Sequence, residues 1–137
     1  MTRFTVRSDL CTGCLNCQTV CSLLHSGKHD RSASAIRVNL ELFSGKHSHV
    51  FCRQCENPEC RKACQVNAIY KDPHSGAWKI DYDLCTRCGT CVEACSYGAM
   101  FWHETEEKPL KCDLCGGTPA CIEACVFNVI IPAEEEA

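Results

Sequence analysis

No apolar run in this chain of 137 residues is long enough to cross a bilayer, so direct membrane insertion is not expected. The start, Met1-Thr2-Arg3-Phe4-Thr5-Val6-Arg7-Ser8-Asp9, has no apolar h-region, no twin arginine and no cleavage site. That predicts a cytoplasmic protein whose thiols stay reduced. Aromatic residues are only 7% of the chain, and its length suits one domain or two very small ones, so side chains alone would build a modest core. Positive charge is not in excess: 14 Lys and Arg stand against 17 Asp and Glu, a formal net charge of -3, and no nucleic-acid partner is expected.

Catalytic constellations are also missing. His25 and His29 stand four apart, but Ser26-Gly27-Lys28 between them argues for a loop and for solvated rings. His47 and His49 alternate within an expected strand, without a carboxylate or third histidine at metal-ligand spacing. Gly89, Gly116 and Gly117 lie inside cysteine loops, where backbone must approach a bound group closely, and match no phosphate-binding pattern. Trp78, Trp102 and Tyr97 read as core packing. No catalytic residue is expected, and the chain reads as non-catalytic.

What the chain has is cysteine, sixteen in four groups of four with none outside them. Cys11, Cys14, Cys17 and Cys21 read C-x2-C-x2-C-x3-C, as do Cys85, Cys88, Cys91 and Cys95. Cys52, Cys55, Cys60 and Cys64 open to C-x2-C-x4-C-x3-C, and Cys112, Cys115, Cys121 and Cys125 to C-x2-C-x5-C-x3-C. A disulfide framework would need export. Structural zinc takes paired C-x2-C knuckles, and a third cysteine just beyond is unnecessary for one tetrahedral ion. Three corners of an iron–sulfur cubane do need it, with the fourth cysteine reaching to another cluster. The spacing therefore predicts four [4Fe-4S] clusters, a non-redox zinc scaffold being the alternative from another class. Clusters that staple distant segments would couple folding to cofactor binding.

The formal charge counts thiols as neutral, and a cubane with four thiolates adds about two negative charges when oxidised. Arg53, Arg61, Lys62, Arg87 and Lys111 lie in or beside the groups, where each reads first as solvated surface.

Along the chain, each unit is a cysteine loop, a short helical turn carrying the fourth cysteine, and a brief apolar stretch. Ala68-Ile69-Tyr70-Lys71 and Ala77-Trp78-Lys79-Ile80-Asp81 flank a Pro/Gly turn and predict a β-hairpin; residues 36–43 and 47–51 predict a second. Residues 22–35 read as a loop and the best candidate for a partner-facing segment. Glu134-Glu135-Glu136 reads as a solvated acidic end. The expected class is α+β.

The segments Cys52-Arg53-Gln54-Cys55-Glu56-Asn57-Pro58-Glu59-Cys60, Lys111-Cys112-Asp113-Leu114-Cys115 and Pro119-Ala120-Cys121 resemble the iron–sulfur electron-transfer subunits of molybdenum and tungsten oxidoreductases, the dimethyl sulfoxide reductase family among them. The likeness spans nearly the whole chain, which in its small size looks most like the polyferredoxin subunit of bacterial tungsten aldehyde oxidoreductases. It implies a single domain over 1–137 made of two pseudo-symmetric bacterial-type 2[4Fe-4S] ferredoxin modules with short helices and β-hairpins. The outer module would take about 1–35 and 104–137, the inner about 36–103. The implied ligand sets are Cys11, Cys14, Cys17 with Cys125; Cys112, Cys115, Cys121 with Cys21; Cys52, Cys55, Cys60 with Cys95; and Cys85, Cys88, Cys91 with Cys64. Ferredoxins usually place proline after the fourth cysteine, whereas this chain has Ser22, Gln65, Ser96 and Val126, which removes a local constraint on each turn.

Clusters with complete cysteine ligation offer no open iron for a substrate, which leaves one-electron transfer. The resemblance implies a relay between a large catalytic tungsten or molybdenum pterin subunit, aldehyde-oxidising in the nearest likeness, and a flavin, NAD or other acceptor subunit. A free, diffusible polyferredoxin is the alternative. A relay that exposes both ends also allows end-to-end self-association.

Overall fold

Between the cysteine groups the chain has little length in which to form regular structure, and the elements are correspondingly short. The computed structural model describes residues 4–132, so Glu134, Glu135 and Glu136 lie outside the described residues. In chain order the elements are β1 (Phe4–Val6), α1 (Asn16–Ser26), β2 (Ile36–Asn39), β3 (Ser48–Phe51), α2 (Glu59–Ala63), β4 (Ile69–Lys71), β5 (Trp78–Ile80), α3 (Thr90–Ala94), β6 (Phe101–His103), β7 (Lys108–Leu110), α4 (Ala120–Ala124) and β8 (Ile130–Pro132). Three 3-10 turns, Ser8–Leu10, Arg31–Ala33 and Leu114–Gly117, join them.

The strands form four separate antiparallel pairs, β1 with β8, β2 with β3, β4 with β5 and β6 with β7. The β4–β5 hairpin, with Ile69 opposite Ile80, is the one its Pro/Gly turn predicts. The β2–β3 pair is shorter than expected, running from Ile36 opposite Phe51 to Asn39 opposite Ser48. Leu40, Leu42 and Phe43 leave the ladder and stand exposed, so among the described residues nothing covers the face that their continuation as a strand would need. Pairing of β1 with β8, in which Phe4 faces Pro132, brings the two extremes of the described chain together. The Phe4 ring stacks on Phe51 at 4.5 Å, joining that pair to β3.

Helices of five residues are too short to persist alone in water, and here they pack in twos: α1 against α4, and α2 against α3. The short helices carry the third cysteine of their groups, Cys60, Cys91 and Cys121, while the fourth stands at the C-cap. Only α1 carries both, Cys17 and Cys21, because it runs on to Ser26 and ends at left-handed Gly27, whose N–H donates to the Leu23 carbonyl.

The expectation of an open loop over residues 22–35 is therefore corrected. Its first residues are helical, and Ser22, Ala33, Ser34 and Ala35 are buried. The Ser22 hydroxyl donates to the Lys28 carbonyl at 2.7 Å and accepts from the Asp30 N–H at 3.1 Å, folding the segment back on α1. Ser22 here satisfies buried backbone, while Lys28, His29 and Arg31 stay exposed.

The core divides into two clusters. The larger joins Phe4, Ile36, Val38, Phe51, Leu110 and Ile130 to Cys17, Cys21 and Cys121; the smaller joins Ile69, Trp78 and Met100 to Cys60 and Cys91. Cysteine is thus part of the interior, and the third cysteine of every group is buried. Tyr97, expected in the core, is exposed, whereas Trp78 is buried and donates from Nε1 to the Cys55 carbonyl at 2.8 Å.

Candidate metal centres

One backbone device recurs in all four cysteine loops. Two residues after the first cysteine, Gly13, Gln54, Arg87 and Leu114 all take positive φ. That turns their N–H groups onto the sulfurs of Cys11, Cys52, Cys85 and Cys112, at 3.4, 3.5, 3.4 and 3.4 Å. Three of these residues are not glycine, so the loops hold backbone in a region disfavoured for side chains.

A second device follows the fourth cysteine. Asn67, Gly98 and Asn128 stand three residues beyond Cys64, Cys95 and Cys125 and are left-handed, a conformation that asparagine and glycine tolerate. The next N–H groups, of Ala68, Ala99 and Val129, then donate to those sulfurs at 3.3, 3.4 and 3.3 Å. This turn supplies the constraint that the missing prolines would have given. The first group differs, because α1 continues past Cys21, and the distant Ala35 N–H serves its sulfur at 3.2 Å.

Four cavities are lined by four cysteines each. The first has Cys11, Cys14, Cys17 and Cys125; the second has Cys112, Cys115, Cys121 and Cys21. The third has Cys52, Cys55, Cys60 and Cys95, and the fourth has Cys85, Cys88, Cys91 and Cys64. Each cavity thus draws three cysteines from one group and the fourth from another, through the packing of α1 on α4 and of α2 on α3.

The donor set suits a cationic iron–sulfur core. Burial, and after it the nearby Cys11, Cys14 and Cys125, push the Cys17 thiol up to about 11. Burial and the sulfurs of Cys60, Cys85, Cys64 and Cys88 likewise bring Cys91 to about 11. Burial with Cys115, Cys21 and Cys17 brings Cys121 to about 12. Crowded buried thiolates are costly without positive charge among them. Bound iron supplies that charge, while the N–H groups aimed at sulfur favour the ligated thiolate.

The cavities adjoin one another in series. Packing of α1 on α4 sets the first beside the second, the Gln54 amide of the third cavity's loop donates to the Cys112 carbonyl of the second at 2.8 Å, and packing of α2 on α3 sets the third beside the fourth. Only Cys14 and Cys88 are exposed cysteines, one in the first cavity and one in the fourth.

His25 is less free than a solvated ring. Its Nδ1 is 3.0 Å from the Cys21 carbonyl oxygen and its Nε2 is 3.3 Å from Asp113 Oδ1. The Asp113 carboxylate, then Cys21, raises the imidazole to about 11. His25, Asp113 and Cys115 form a compact group whose cysteine already lines the second cavity. His49 lies in β3 and meets the Ser8 hydroxyl at 3.0 Å, whereas His47 lies outside the strand and accepts the Glu41 N–H at 3.0 Å.

Arg53, Arg61, Lys62 and Arg87 are exposed, as solvated side chains should be. Lys111 is not: it is buried, beside the third cavity. A signal for this was present in the repeat, because the residue preceding the first cysteine is Leu10, Phe51 and Leu84 in the other groups.

Residues 43–134 match the 4Fe-4S dicluster domain model. The protein belongs to the 4Fe-4S dicluster domain family. Residues 8–23 of this dicluster-domain protein also match a 4Fe-4S binding domain. Together with the sixteen cysteines, these matches give it four [4Fe-4S] clusters. It is 41% identical over 90 residues to the polyferredoxin-like subunit of an aliphatic sulfonate oxidoreductase from Pyrococcus furiosus, covering 66% of this chain and 51% of the relative. It is 34% identical over 113 residues to a subunit of the tetrathionate reductase of Archaeoglobus fulgidus, covering 80% and 52%. One polypeptide of the anaerobic dimethyl sulfoxide reductase of Escherichia coli is 32% identical over 125 residues, covering 80% and 59%. The chain spans about half the length of these curated relatives. Its fold is shared by a polypeptide in the active-site complex BamBC of benzoyl coenzyme A reductase with benzoyl-CoA, at a TM-score of 0.56 and 19% identity, covering 97% of this chain and 79% of that one. The family's function is electron transfer by 4Fe-4S subunits of oxidoreductases.

Proposed function

We propose that the chain is the relay subunit of an oxidoreductase complex, carrying single electrons through four clusters in line. Cys11, Cys14, Cys17 and Cys125 would hold the first cluster, and Cys112, Cys115, Cys121 and Cys21 the second. Cys52, Cys55, Cys60 and Cys95 would hold the third, and Cys85, Cys88, Cys91 and Cys64 the fourth. The observation that carries this reading is the grouping of cysteines around four cavities, each from two sequence groups. The first two clusters make an outer ferredoxin module, closed by β1 and β8, and the other two an inner one.

The bound cubanes supply one-electron storage. The chain's own residues do the rest. Buried third cysteines and apolar neighbours keep water from the sulfurs, and backbone N–H groups lower the electron density on them, which tunes potential. Cys14 and Cys88, the exposed cysteines, put one accessible ligand at each end of the line, where partners can approach.

The partner at one end is a large catalytic tungsten or molybdenum pterin subunit, aldehyde-oxidising, and at the other a flavin, NAD or other acceptor subunit. Relatives that are subunits of named reductases and oxidoreductases support a complex over a freely diffusing ferredoxin. Anaerobic affinity purification from the native host, with metal analysis of what accompanies the chain, tests this. A co-purifying large subunit containing tungsten or molybdenum, reduced or oxidised by the chain, is the expected result. A chain that purifies alone and exchanges electrons with several unrelated enzymes contradicts it, and zinc in place of iron removes the redox reading altogether.

A further inference from the structure

Lys111 occupies a position that the repeat otherwise gives to an apolar residue. Leu10 and Leu84, at the ends of the line, are exposed there, whereas Phe51 and Lys111 are buried. An ammonium taken out of water is costly unless it is paired and hydrogen-bonded. The Lys111 Nζ donates to two carbonyl oxygens, of Trp78 and of Cys112 at 2.8 Å. Among the described residues no Asp or Glu oxygen forms an ion pair with it. The hydrogen bonds are satisfied, but the charge has no protein counter-ion.

A counter-charge stands next to it in the form of thiolate sulfur. Lys111 lines the third cavity with Cys52, Cys55, Cys60 and Cys95. Burial pushes the Cys60 and Cys112 thiols up, and the Lys111 charge offsets part of that at both. A cubane with four thiolates is negative and gains another negative charge on reduction. A fixed positive charge beside it favours the reduced form. The two carbonyls hold the ammonium in place, so it costs no rearrangement when the electron arrives.

We propose that Lys111 is the built-in counter-charge of the cluster held by Cys52, Cys55, Cys60 and Cys95, raising its reduction potential and making it the electron-retaining station inside the relay. This rests on the ligand sets given above. The role is one of positioning a charge, because Lys111 is buried and its ammonium is held by two backbone carbonyls.

The test is potentiometric titration of the anaerobic holoprotein, followed by electron paramagnetic resonance, for the wild type and for Lys111→Arg, Lys111→Gln and Lys111→Met. The glutamine amide can still donate to a carbonyl but lacks the charge. In both neutral variants one cluster should become at least tenfold harder to reduce, a fall of about 59 mV for a one-electron couple, while Lys111→Arg keeps the wild-type value. Unshifted midpoints with full iron content would overturn the proposal, as would an equal shift of all clusters. Loss of iron from both neutral variants but not from Lys111→Arg would make the charge a structural requirement only, and would also overturn it. Incomplete iron in the wild type would instead defeat the four-cluster reading itself, before any variant is compared.

Discussion

Gln54 donates from Nε2 to the carbonyl oxygen of Cys112 at 2.8 Å, tying the second cysteine loop to the fourth across 58 residues of sequence. Its Oε1 accepts the Trp78 N–H at 2.9 Å, so one buried amide also holds β5. The bond joins a loop of the third cavity to a loop of the second, where the two proposed modules meet.

Gln54→Leu should therefore weaken the whole protein more than either loop. It leaves the buried Trp78 N–H without this acceptor, at about 1–3 kcal/mol, while the Cys112 carbonyl loses one of two donors and keeps the Lys111 ammonium. Anaerobic thermal loss of the visible cluster absorbance should move to lower temperature, with the second and third clusters lost together. Wild-type stability in this variant would mean the modules are held together by other contacts.

Gly13 and Gly116 both take positive φ, +78° and +73°, yet they should respond differently to alanine. A methyl at Gly13 would meet His47 Nε2 at 2.9 Å and Leu40 Cδ2 at 3.1 Å, while at Gly116 it would meet nothing within 4 Å. The His47 ring is itself fixed by the Glu41 N–H. Backbone strain costs about 1–3 kcal/mol at either site, and Gly13→Ala adds a steric cost. Urea unfolding of the two holoproteins should rank Gly13→Ala as the less stable; the reverse order would show that the loop over residues 40–47 yields easily.

The Asp72 carboxylate meets Lys79 Nζ at 2.9 Å, the Ser75 hydroxyl at 2.8 Å and the His74 N–H at 3.1 Å. Lys79 first, then Ser75 and His74, hold its pKa below the usual carboxylate value. Asp72 in turn raises Lys79. A depressed carboxylate contributes stability that is present above its unfolded pKa of about 3.9 and is lost as pH falls through the lower folded value. A raised lysine contributes stability that is present below its unfolded pKa of about 10.4 and is lost as pH rises through the higher folded one. Asp72→Asn should thus lower stability by the same amount at every pH between about 6 and 9. A deficit that changes across that window would mean a different group controls the hairpin.

Much of the site is visible in the sequence because cysteine spacing is a local property of three or four residues in a loop. The β4–β5 hairpin is visible for the same reason, its turn chemistry lying between two β-prone runs. The β6–β7 hairpin is not, because Glu104, Thr105, Glu106 and Glu107 carry no glycine signal and Pro109 interrupts the second run. The β1–β8 pair joins residues that no local pattern relates. Extension of α1 beyond Cys21 is hidden by polar Ser22 and Ser26, which prove to bond backbone; Ser26 donates to the Ser22 carbonyl at 2.7 Å. Burial of Lys111 could be suspected only by comparing the position before each group.

In the proposed arrangement each cluster draws its fourth cysteine from another group, which pairs the first cluster with the second and the third with the fourth. Anaerobic iron analysis and electron paramagnetic resonance of Cys125→Ala, set beside Cys11→Ala and Cys112→Ala, test it most directly. Cys125→Ala should lose or alter the same signal as Cys11→Ala and leave the signal lost in Cys112→Ala intact. If Cys125→Ala instead removes the signal that Cys112→Ala removes, each group ligates its own cluster and the crossed arrangement is wrong.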